Sequence, residues 1–122
     1  MFFANGAASI GLVQGGAIRA IAHTGRGRLG TLPDLPAVAN TLPGFEAYEW
    51  NGVFVPSGTP IEVVQKLNAG LNAVLRQPDI IAHLKQLDVE FRENTPAEFR
   101  AFVIAEMERW ARVVKEANIK LG

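Results

Sequence analysis

Three groups of residues in this 122-residue chain have types and spacings that could do chemistry. The first is Gly25-Arg26-Gly27-Arg28-Leu29-Gly30, a G-x-G-x-x-G run following the mostly apolar segment 17–24. A dinucleotide site needs its third glycine in the first turn of a helix, whose N-terminus holds the pyrophosphate. Here Gly30 is followed by Thr-Leu-Pro-Asp-Leu-Pro, which cannot continue a helix. The acidic residue expected about 20 positions on falls near Glu46 or Glu49, where no second strand of a βαβ unit ends. The run reads instead as a flexible loop leaving a strand, with Arg26 and Arg28 solvated or paired to carboxylates.

The second group is titratable. His23 and His83 are the only histidines, and they fall in different elements with no serine, carboxylate or further ligand at triad or zinc spacing. Glu90, Glu93, Glu98, Glu106 and Glu108 read as capping and helix-face charges, with Glu108 and Arg112 at i,i+4. Trp50 and Trp110 read as packing residues. No catalyst, metal site or cofactor site emerges, and the expectation is a protein that is not an enzyme.

The third group is Phe3-Ala4-Asn5-Gly6-Ala7-Ala8-Ser9, which carries the chain from the end of a strand into a helix. In open α/β sheets ligands collect beyond such strand ends. The free N–H groups and dipole of the helix start favour a carboxylate or phosphate. The alternative is a plain cap, in which Asn5 or Ser9 satisfies its own helix.

The elements that position these groups are legible from spacing. Met1 to Phe3 reads as the end of a strand, and Asn5 to about Gln14 as a helix ended by Gly15-Gly16. Residues 17–24 read as a strand, and 25–46, rich in proline and glycine, as a connection with one helical turn near Ala37 to Asn40. Trp50 to Val55 reads as a strand stopped by Pro56. Thr59-Pro60-Ile61-Glu62 and Thr95-Pro96-Ala97-Glu98 both spell capping boxes. The helix after the first carries Ile61, Val64, Leu67, Leu71 and Leu75, and breaks before Pro78. Asp79 to Leu87 reads as a short helix and Val89 to Phe91 as a strand. The last helix runs to about Ala117, with Phe99, Phe102, Val103, Met107, Trp110 and Val114 on one stripe. Strands alternating with helices predict an α/β fold.

Composition excludes several classes. Twelve basic residues balance twelve acidic ones, so no global field recruits nucleic acid or an anionic membrane. With no cysteine there is no disulfide, thiolate nucleophile or cysteine-based metal site. No apolar run has membrane-span length, and the start lacks the pattern of a secretory signal.

The order of pieces adds a resemblance. It runs Phe3-x-Asn5; Ile18-Arg19-Ala20-Ile21-Ala22-x-Thr24; Arg28; Leu32-Pro33-Asp34-Leu35-Pro36; Pro43-Gly44-Phe45-Glu46; Trp50-x-Gly52. Pro56-x-Gly58-Thr59-Pro60, Leu67-Asn68, Pro78, Glu106 with Trp110, and Val113-Val114-Lys115 follow. Over nearly the whole chain this resembles the C-terminal part of the solute-binding proteins of tripartite tricarboxylate transporters, the Bug or TctC family. The resemblance implies a partial periplasmic binding protein type 2 fold. Residues 1–46 would be the tail of the second lobe and the inter-lobe connection, and 47–122 the C-terminal part of the first. It further implies a periplasmic receptor for a small organic carboxylate, delivering to membrane permease subunits, with Phe3, Asn5, Ala7, Ala8 and Ser9 facing the ligand cleft. The three glycines then become incidental spacing in a connection between lobes.

The chain departs from the family pattern at Ala4, often acidic, and at Ala7-Ala8, often Pro-Ser; around Ala39-Asn40-Thr41 it is one residue short. It also matches less than half of a family member, without the signal peptide or the first lobe's leading strand. A piece of that size is expected to pair as a homodimer or larger assembly to cover its strand edges and apolar faces. The alternative function is a non-binding oligomeric remnant that has lost the ligand.

Overall fold

The computed structural model describes Met1 and residues 3–120. Four α-helices follow in order: α1 (Gly6–Gln14), α2 (Ile61–Leu75), α3 (Pro78–Gln86) and α4 (Pro96–Glu116). A short 3-10 turn, Val38–Asn40, lies between α1 and α2. All five fall where spacing, caps and prolines place them. No helix among the described residues is long and apolar enough to cross a membrane.

The strands expected at 17–24, at Trp50 to Val55 and at Val89 to Phe91 do not form among the described residues. Their one ladder contact is a parallel bridge between His23 and Ala37, closed by His23 N–H to the Pro36 carbonyl at 3.0 Å and Val38 N–H to the His23 carbonyl at 2.9 Å. A strand exists only by pairing, and these segments find no neighbour within the chain to complete a ladder. Of the strand end expected at Met1 to Phe3, Phe2 lies outside the described residues; Met1 and Phe3 are exposed and belong to no strand.

Two compact units interleave along the chain. The first comprises Met1–Phe54 and Leu75–Phe91. Its connection 25–36 is held at several points rather than left loose. Arg26 pairs with Glu46, and its N–H donates to the Tyr48 hydroxyl at 2.7 Å. Arg28 donates through Nε to the Pro33 carbonyl at 2.6 Å and pairs with Asp34 at 3.3 Å, closing the Leu-Pro-Asp turn on itself. Asp88, just past α3, accepts from the N–H groups of Gly30 and Thr31 at 3.1 and 3.3 Å and from the Thr31 hydroxyl.

The second unit comprises Val55–Val74 and Arg92–Gly122. Asn68 and Asn72, one turn apart on α2, both donate to the Asn94 carbonyl, at 3.0 and 3.1 Å. That fixes the residue preceding the cap of α4. Thr95 then forms the capping box its sequence spells: Glu98 N–H donates to its hydroxyl, and its own N–H donates to the Glu98 carboxylate. The other box does not close, because the Thr59 hydroxyl donates back to the Pro56 carbonyl at 2.8 Å. The α4 ion pair likewise joins Arg109 to Glu106, at 3.3 Å, rather than Glu108 to Arg112.

Burial is sparse. Ile10 and Ala37 are the only fully buried apolar residues among those described. The α4 stripe expected in the core is largely exposed, Met107 at 67% and Trp110 at 42%. The accessible surface is 9902 Å² for a 13.2 kDa chain, against about 6,400 Å² for a self-contained folded protein of that mass.

Candidate functional site

The start of α1 is built from Asn5 outward. Asn5 has extended backbone, and its side-chain oxygen accepts from Ala8 N–H at 3.3 Å, so it is the N-cap of its own helix. Ser9 turns its hydroxyl back onto the Asn5 carbonyl at 2.8 Å. The plain-cap reading of these two residues is therefore what their hydrogen bonds show.

Capping leaves something over. Of the first-turn donors, Ala8 N–H is taken by the Asn5 side chain and Ser9 N–H by the Asn5 carbonyl. The N–H groups of Gly6 and Ala7 have no partner among the described residues, and they sit at the positive end of the helix. The Asn5 side-chain nitrogen donates to the carboxylate of Glu49. A carboxylate from the chain thus stands beside the cap. Phe3 is exposed at 82% and Ala8 is exposed, whereas Ala7 and Ser9 are half-buried. Asn5, Gly6, Ala7 and Ser9 are brought together by one turn of helix; Phe3 lies outside it, two residues before the cap.

Glu49 is the member that spacing alone missed. It was considered only as a ribose ligand, and nothing in the intervening connection announces that it returns to Asn5. The nucleotide reading has no support from its surroundings. Gly30 N–H, which would face a pyrophosphate, is held by Asp88, and Glu46 by Arg26.

A separate open groove of about 670 Å³ lies in the first unit, between residues 16–21 and 31–36. Arg19, Thr31 and Asp34 are its polar lining; none of Phe3, Asn5, Ala7, Ala8 and Ser9 lines it. His83 lies exposed on α3. His23 is buried at 9% exposure, with neither ring nitrogen bonded. The sequence placed it at a strand end and gave no sign of this burial.

The model of the tripartite tricarboxylate transporter family receptor matches residues 2–119. The chain belongs to that family. A UPF0065 protein from the tcbD-tcbE intergenic region of Pseudomonas sp. strain P51 is 39% identical over 104 residues, covering 84% of this chain and 31% of that one. A UPF0065 protein of Agrobacterium vitis is 33% identical over 110 residues, 87% of this chain and 32% of the relative. Protein BugT of Bordetella pertussis is 30% identical over 110 residues, 89% of this chain and 34% of BugT. The chain spans about a third of the length of these relatives.

Proposed function

We propose that this chain is part of a periplasmic receptor for a small organic carboxylate, acting by binding and not by catalysis. In this reading it carries parts of two α/β lobes of a type 2 periplasmic binding protein, residues 1–46 from the second and 47–122 from the first. The full-length receptor would hand its ligand to membrane permease subunits. The observation that carries the reading is the start of α1. Two open amides, Gly6 and Ala7, lie at a capped helix N-terminus whose Asn5 side chain already holds a carboxylate, that of Glu49. A ligand carboxylate takes the two amides and exchanges with Glu49 at the Asn5 nitrogen.

The test is amide chemical shift on adding succinate, citrate, glutamate or benzoate. Saturable movement of the Gly6 and Ala7 resonances with one of these acids supports the reading. Movement with none of them contradicts it. The other reading, an oligomeric remnant without a ligand, is favoured by Ala4, Ala7 and Ala8, whose side chains bring no donor to the cleft.

A further inference from the structure

Helix α2 carries two apolar lines. Val64 and Leu75 share one line with Asn68 and Asn72, and it is the less exposed one, tied through both asparagines to the start of α4. Val63, Leu67, Leu71 and Val74 form the other at i, i+4, i+8 and i+11, and each is between 39% and 48% exposed. Beside this second line sits Gly70, in the middle of a fifteen-residue helix. A mid-helix glycine costs about 1 kcal/mol relative to alanine. The chain itself gives no reason for it: a Cβ placed there meets nothing within 4 Å. A bare backbone patch flanked by exposed leucines is what close approach by another helix requires.

We infer that this face of α2 is the contact with a second copy of the same chain, the two α2 helices crossing antiparallel about a two-fold axis. An axis between Asn68 and Ala69 sets Val63 opposite Val74 of the partner subunit, and Leu67 opposite Gly70 of the partner subunit. Each large side chain thus meets a small or bare position. Antiparallel packing also aligns the helix dipoles favourably. The available area suffices: the surface exceeds that of a self-contained chain by roughly 3,500 Å², whereas a stable interface takes about 800 Å² per partner. The contact lies in the second unit and the carboxylate site in the first, so either can fail without the other.

The test is solution mass by light scattering and sedimentation on the 122-residue chain, with Leu67→Glu and Gly70→Leu variants and far-ultraviolet circular dichroism on each. The expected result is twice 13.2 kDa for the parent, with a dissociation constant raised at least tenfold by either variant while helix content holds. Gly70→Leu is the sharper probe, because in an isolated helix it raises helicity and only a close contact makes it harmful. A monodisperse monomer overturns the inference and leaves the face to another part of a longer polypeptide. A dimer indifferent to both variants, or a polydisperse aggregate, overturns it as well.

Discussion

The carboxylate of Asp88 shows how much one residue holds here. It gathers two amides and a hydroxyl from Gly30 and Thr31, fifty-seven and fifty-eight positions away, and sits at φ 51, a left-handed conformation that asparagine and aspartate tolerate best. Asp88→Ala is expected to lower stability by about 1–3 kcal/mol in urea unfolding, leaving donors without an acceptor. Asp88→Asn should cost less, since it keeps the conformation and one oxygen. Gly25 and Gly27 answer to geometry, not to a nucleotide. A Cβ on Gly25 would stand 3.0 Å from the Tyr48 ring, and Gly27 has φ 72. Gly27→Ala is expected to cost about 1–2 kcal/mol from left-handed strain alone. His23 runs the other way. Its buried ring makes no hydrogen bond, so His23→Leu should leave the unfolding midpoint unchanged or raise it.

Among the elements, α4 is the most completely specified by local chemistry. The Thr95 N–H, then its hydroxyl, donate to the Glu98 carboxylate and hold its pKa below the ordinary value. The sign follows from linkage. A carboxyl with a lowered folded-state pKa contributes stability above its unfolded pKa, and that contribution is lost as pH falls through the lowered value. The first turn of α4 is therefore expected to fray on acidification below about pH 4.5, seen as faster amide exchange at Ala97 to Arg100, and Glu98→Gln should remove that dependence. Thr95→Ala should cost about 1 kcal/mol at neutral pH. The helices were legible because their caps, prolines and 3.6-residue spacing are local. The strands were not, because a strand is defined by a neighbour, and residues 17–24 and 50–55 look the same whether or not one is present. At the candidate site, Asn5 and Ser9 were legible as a cap from type and position, whereas Glu49 was not, since it arrives through a connection that spacing cannot trace.

For the molecule as a whole, family membership and the local geometry point the same way from independent grounds. The match extends along nearly the entire chain, while that chain covers about a third of its relatives. Sparse burial and excess surface are the physical counterpart of that fraction. A site made of two amides and one side-chain nitrogen binds through charge and dipole, so its affinity should weaken with rising salt. The most direct measurement is calorimetric titration of succinate, citrate, glutamate and benzoate into the chain and into its Asn5→Asp variant. Aspartate caps a helix as well as asparagine does, but it sets a negative charge against an incoming carboxylate. Saturable binding of one acid by the parent, lost in Asn5→Asp with helix content intact, is the predicted result. Heat of binding from none of the acids, or binding equal in both proteins, would contradict a carboxylate site at the start of α1.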